Sequence, residues 1–113
     1  MEPRIAASVL AAALIRKAEG QGGFGAVLAK GDATAGSILL ILLERGRNPR
    51  LFERLLQPGG AYAWQENGSQ HIEDPRQVPA FIARRRRFDP DLWVLELDIP
   101  AVERFVAEMN SPD

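Results

Sequence analysis

"SILLILLE", residues 37–44, holds six consecutive apolar side chains at 38–43, bounded by Gly36 and Gly46. A half-exposed strand would alternate and a buried helix would run longer, so this short stretch predicts a central strand covered on both faces. Its neighbours on either side are read for what supplies that cover.

Upstream, "FGAVLA" (24–29) reads as a strand, joined to 38–43 by the polar loop "KGDATAG" (30–36) of hairpin type. Before it, "ASVLAAALIRKAEGQGG" (7–23) sets Leu10, Leu14 and Ala18, with Ala7, Ala11 and Ile15 beside them, at helical spacing, with Ser8 as cap and Gly20 as stop. Downstream, turn signals at 47–49, 58–60 and 67–68 separate the runs 51–56 and 61–65, an antiparallel hairpin carrying Tyr62 and Trp64 on one face. "EDPRQVPAFIARRRRF" (73–88) begins a helix with Asp74 as cap, Pro75 at the first position and Gln77 completing a capping box, while Pro79 pushes the onset later. "DLWVLELDI" (91–99) alternates, Trp93, Leu95 and Leu97 on one face and Val94, Glu96 and Asp98 on the other. "PAVERFVAEMN" (100–110) is a short amphipathic helix with Val102, Phe105, Val106 and Met109 on its apolar side. The order helix, four-strand meander, helix, strand, helix predicts one α+β domain over residues 1–113, built on a small antiparallel-rich sheet of about five strands.

At 113 residues the chain has the length of one self-sufficient domain. It has no cysteine, which excludes disulfides, thiolate metal sites and thiol chemistry, and a net charge of -1 argues against wrapping nucleic acid through bulk charge. Lys17 and Lys30 are the only lysines among 14 basic residues; the arginines suit forked contacts to carboxylate or phosphate. The apolar stretch 5–15 looks superficially like a signal-peptide core. Glu2 offsets Arg4 ahead of it, Arg16 and Lys17 follow at once, and it is too short to span a bilayer, so the expectation is a cytoplasmic protein without membrane contact.

"GQGGFGAVLAK" (20–30) matches the glycine-rich loop of protein kinases at Gly20, Gly22, Phe24, Gly25 and Val27. That loop follows a strand and needs H-R-D and D-F-G elsewhere; here the glycines follow a helix and both partners are missing. A dinucleotide fold needs strand, glycines, then helix, the reverse of this order, and no Gly-Lys-Ser/Thr follows for a phosphate loop. The glycines are read as a helix-to-strand turn.

Four arginines, Arg84, Arg85, Arg86 and Arg87, end the second helix, where cations suit the helix dipole. Arg85 falls within the apolar stripe of Val78, Phe81, Ile82 and Phe88, so it is expected to pair with a half-buried carboxylate, Glu96 or Asp91. Arg84, Arg86 and Arg87 face solvent. With Arg45, Arg47, Arg50 and Arg54 they are the candidate residues for binding an anion or nucleic acid, if the fold joins the two groups in one face, with Tyr62 and Trp64 as stacking platforms or as core. Asp89, Asp91 and Glu96 are the carboxylates available for acid-base work or Mg2+, and their simpler roles are turn chemistry and a solvated strand face. The single His71 lies in a polar loop, and Ser8, Ser37, Ser69 and Ser111 have no nucleophile-elbow setting. No cofactor is expected.

Taken in order, "ALIRKAEGQGGFGAVLAKGDATAGSILL" (13–40), "NPRLFERLL" (48–56) and above all "RRFDPDLWVLELD" (86–98) resemble a family of short bacterial proteins, domain of unknown function 1491, over most of the chain. The resemblance implies a compact single-domain protein and carries no activity or functional residue with it. The favoured function is therefore a non-catalytic module that binds an unknown protein partner or forms a homodimer, the motive being the apolar second face of 38–43 and of Leu92 and Val94. Nucleic-acid or anion binding through the arginines is the alternative.

Overall fold

A computed structural model describes residues 5–67 and 72–111. The elements are α1 (Ala7–Gly20), β1 (Phe24–Ala29), β2 (Ile38–Glu44), β3 (Arg47–Leu56), β4 (Tyr62–Glu66), a 3-10 turn (Pro75–Gln77), α2 (Val78–Phe88), β5 (Trp93–Ile99) and α3 (Val102–Met109). The expected α+β order of three helices and five strands holds. His71, Ser69, Glu2, Arg4 and the second half of the turn expected at 67–68 lie outside the described residues.

The strands form one mixed sheet in the order β1-β5-β2-β3-β4, with β5 parallel to β2 and antiparallel to β1. The meander therefore has three strands, not four, because β5 takes the place beside β2 expected for β1. The reason is burial. β2 is apolar on both faces and β5 on one face and at Val94 of the other, and side by side in the centre they leave Leu39, Leu40, Ile41, Leu42, Val94, Leu95 and Leu97 with no exposed surface. The loop 30–37 is accordingly no hairpin. It passes around the start of β5, where the Asp32 N–H donates to the Asp91 carbonyl (3.1 Å) and the Trp93 indole to the Asp32 carbonyl (2.7 Å).

Alternation sorts the two faces. Leu40, Leu42, Phe52, Trp64, Leu95 and Leu97 point to one, covered by Leu14 and Ala18 of α1 and by Val102 and Phe105 of α3. Leu39, Ile41, Leu51, Leu92 and Val94 point to the other, covered by Ile72 and by Val78 and Phe81 of α2. The apolar second face of the central strands is thus closed within the chain and leaves no surplus there for a partner.

Local chemistry explains the ends. The first N–H groups of α1 donate to loop carbonyls, Ala7 to Thr34 (3.1 Å) and Ser8 to Ala33 (2.9 Å), so Ser8 lies inside the helix and does not cap it. At its other end the Gly23 N–H reaches the Ala18 carbonyl and the Gly22 N–H the Glu19 carbonyl, with Gly22 at φ +85°, a Schellman closure. This is what the kinase-like glycines build. The β2–β3 turn is Arg45–Gly46, both at positive φ (52° and 79°), the hairpin geometry that matches strand twist. Residues 47–49, expected as the turn, belong to β3, and Asn48 at φ 56° sits beside a register shift. Asp74 and Gln77 form the expected capping box, and α2 starts one residue before Pro79.

Candidate functional site

The two edges of the sheet are treated differently. On β4 the side chain of Asn110, just past α3, acts as a substitute strand: its Oδ1 accepts from the Trp64 N–H (2.7 Å) and its Nδ2 donates to the Trp64 carbonyl (2.9 Å). β4 is also short and charged at its end by Glu66. β1 has neither protection. Its sequence "FGAVLA" carries no charge and no proline, and among the described residues no hydrogen bond reaches its outer side. Phe24 is 64% exposed, Val27 44% and Leu28 40%. Its single blunting device is a register shift between Val27 and Ala29. An edge of this kind is one that natural monomers avoid.

The glycine turn places β1. A Cβ on Gly23 would stand 2.1 Å from the Asp98 carbonyl oxygen, and one on Gly25 would meet Leu97 and come within 3.2 Å of Ile15. Without side chains at these positions α1 and β1 close down on β5. Beside the turn, at the carboxyl ends of β2 and β5, lies an open cleft of about 270 Å³ lined by Gly22, Phe24, Arg45, Asp98 and Pro100 among others. The Arg45–Gly46 turn is pinned there, the Arg45 N–H to the Ile99 carbonyl (3.2 Å) and the Gly46 N–H to Asp98 Oδ1 (2.9 Å).

The arginines do not come together. Arg50 lies on the α3 side of the sheet, bidentate to Glu66 (2.8 Å for each bond) and bonded to Glu103 (2.7 Å), which holds its guanidinium above the ordinary arginine value. Arg54 stacks over Tyr62, 5.1 Å from the ring centre. Arg86 is half-buried and engaged with the backbone: its Nη2 donates to the carbonyls of Lys30 (2.9 Å) and Pro90 (3.0 Å). Arg84 lies over the Phe81 ring, and Arg87 is exposed. Arg45 and Arg47 sit at the opposite end of β5 from the α2 arginines, one strand length away. Of the two aromatics, Trp64 is core and Tyr62 is exposed.

Arg85 has the half-buried carboxylate its helical phase requires, but the partner is Glu53 on β3 (2.6 Å), not Glu96 or Asp91. Glu53 stands on the same face of the sheet as Leu39 and Leu51, the face that α2 covers, while Asp91 stays in the exposed loop before β5. Burial pushes the Glu53 carboxyl up, and the hydrogen bonds from Arg85 and Asn67 with the Arg85 charge outweigh it, so Glu53 sits below the ordinary glutamate value. A carboxyl held low in the folded state adds stability above its unfolded value, about 4.3, and loses it as pH falls through the lower folded value. Arg85→Gln is therefore expected to move acid unfolding, followed by circular dichroism, to higher pH. Arg76→Gln, which removes an exposed pair with Asp74, is expected to move it far less.

Asp89, Asp91 and Glu96 do not converge: among the described residues no three His, Asp or Glu side chains gather as a metal set. No helix there is long and apolar enough to cross a membrane. Asn110 as an edge plug was not foreseeable from its local sequence, whereas the uncharged composition of "FGAVLA" was visible without signalling that the strand is an edge.

Known proteins bear on the same architecture. A crystal structure of a DUF1491 family protein from Caulobacter crescentus CB15 is 33% identical over 90% of this chain and 94% of that one, with a TM-score of 0.77. A solution structure of a protein from A. tumefaciens is 25% identical over 98% and 99%, with a TM-score of 0.73. No curated protein matches the chain. The family model described as "Protein of unknown function (DUF1491)" matches residues 5–107, which take in all three helices up to the last turn of α3 and every strand of the sheet. By that span and by the shared fold, the chain belongs to the DUF1491 family.

Proposed function

We propose that the chain is a non-catalytic module that pairs with another protein chain along the outer edge of β1. The observation that carries this reading is the contrast between the two edges: β4 is plugged by Asn110, and β1 is uncharged, has no partner on its outer side among the described residues and exposes Phe24, Val27 and Leu28. Main-chain groups of an added strand would supply affinity, and the exposed side chains would select the partner. A photo-crosslinking amino acid at position 27 of the full chain, introduced in living cells, is expected to trap a polypeptide. The same group at Tyr62, at the far end of the sheet, is the control, and no adduct at 27 would end this reading.

A second reading, anion binding, is favoured by one observation: Arg45 faces a cleft with Phe24 and Asp98 and has no ion pair or side-chain hydrogen bond among the described residues. Its test is a titration of labelled single-stranded RNA and duplex DNA at two salt concentrations, comparing Arg45→Gln with Arg84→Gln/Arg87→Gln. On this reading affinity is salt-sensitive and falls at least about tenfold in one of the variants. Absence of binding at low salt leaves those arginines to structure and solubility.

A further inference from the structure

We infer that the chain occupying the β1 edge is a second copy of this protein, paired antiparallel about a two-fold axis near Ala26 to make a continuous ten-stranded sheet. This rests on the reading that β1 is a pairing edge, and it names the partner.

Three observations point to self-pairing. First, β1 has no charge, so two copies placed edge to edge set no like charges opposite each other, and the exposed side chains of one are matched by those of its twin. Second, α1 lies over the seam between β1 and β5, in contact with both. Ile15 is the residue that would touch a Cβ on Gly25, and helical periodicity places Ser8, Ala12 and Glu19 on the same stripe. Each helix is thus set about half a strand spacing inward of its own β1, so joining two β1 strands at the usual spacing of about 4.8 Å brings the two α1 helices about 10 Å apart, a distance at which helices pack.

Third, the levels agree. Ala26 lies one strand residue, about 3.4 Å, beyond Gly25, and Ala12 lies three helical residues, about 4.5 Å, beyond Ile15 in the same direction, because α1 and β1 run antiparallel. The axis that pairs Ala26 with Ala26 thus passes near a small side chain on each helix and sets Ser8 toward Ile15 of the other copy. Continuity of the faces requires paired residues to share parity, so Gly25 meets Val27, and Phe24 meets Leu28. One strand and one helix stripe per copy make a small interface, at the low end of the usual size range, and association is expected at micromolar concentration.

The chain has no cysteine, so a single one reports its own pairing. Ala26→Cys under mild oxidation is expected to give a covalent dimer, since residues facing across an antiparallel axis lie within disulfide reach. Tyr62→Cys, on β4 at the other edge of the sheet, serves as the control and is expected to form no disulfide-linked dimer. Light scattering of the unmodified chain from 1 to 200 µM, a range chosen to bracket the expected affinity, is expected to show mass doubling. Val27→Lys and, independently, Ala12→Glu on the exposed helix surface are expected to weaken association at least about tenfold while circular dichroism stays unchanged. A monomer throughout, with no disulfide formed by the Ala26→Cys variant, overturns the second-copy assignment. If the photo-crosslink at position 27 then captures a different polypeptide, the edge-pairing reading stands with another partner; if it captures nothing, both fall.

Discussion

Phe105→Ala is expected to lower unfolding stability by about 3–5 kcal/mol, measured by urea titration of tryptophan fluorescence. Phe105 has no exposed surface and stands where α3 meets α1 and the sheet, among Leu14, Ala18, Leu42 and Leu97 of the same core. Its removal loses the transfer free energy of the ring and leaves a cavity between two helices and a rigid sheet. The loss reaches the sheet edge as well. α3 is held at its start by the Glu44 carboxylate accepting from the Val102 N–H (3.0 Å), and at its end it presents Asn110 to β4. In the variant, hydrogen exchange at the Trp64 amide is expected to quicken. Phe88→Ala, at a ring 84% exposed, is expected to change neither quantity, which separates loss of packing from loss of an aromatic ring.

Gly23→Ala is expected to cost about 2–3 kcal/mol, with Gly59→Ala within about 1 kcal/mol of the parent or slightly stabilising. The two glycines differ in what a methyl group would meet. At Gly23 it would stand 2.1 Å from the Asp98 carbonyl oxygen and 3.0 Å from the Ile99 Cα, both backbone atoms of a central strand that cannot give way. At Gly59 nothing lies within 4 Å. If the Gly23 variant unfolds at the parent's denaturant midpoint, the close approach of the turn to β5 is not what holds β1 in register. The same variant is expected to loosen the β1 edge, because Phe24 follows Gly23 directly.

Local chemistry was largely readable along the chain. The helix stop at the glycines, the capping box of Asp74 and Gln77, the alternation of β5 and the apolar stripe of α3 each follow from neighbouring residues, and each is present. The need of Arg85 for a carboxylate was readable too, from its phase on α2. Its partner was not, since Glu53 lies 32 residues away on a strand whose position under α2 depends on the whole sheet. The arginine groups illustrate the same limit. Sequence shows two basic clusters, but their engagement with Glu66, Glu103, Tyr62 and two backbone carbonyls is set by elements that meet only after folding.

By itself the sequence determined that residues 38–43 belong at the centre of the sheet, because six consecutive apolar side chains have more apolar surface than an edge can bury. It also determined where α1 ends and how α2 is capped, since those signals act over a few residues, whereas the start of α1 is held by the carbonyls of Ala33 and Thr34 and not by Ser8. Tertiary structure alone decided the order of the strands. A hairpin between β1 and β2 satisfies every local rule, and it is displaced because β5 beside β2 buries more apolar surface on both faces. That choice sends β1 to the edge, and it leaves an uncharged strand with its outer side open while Asn110 closes the other. Whether a strand is central or marginal is a property of the completed sheet, and on that position the proposed function of this chain depends.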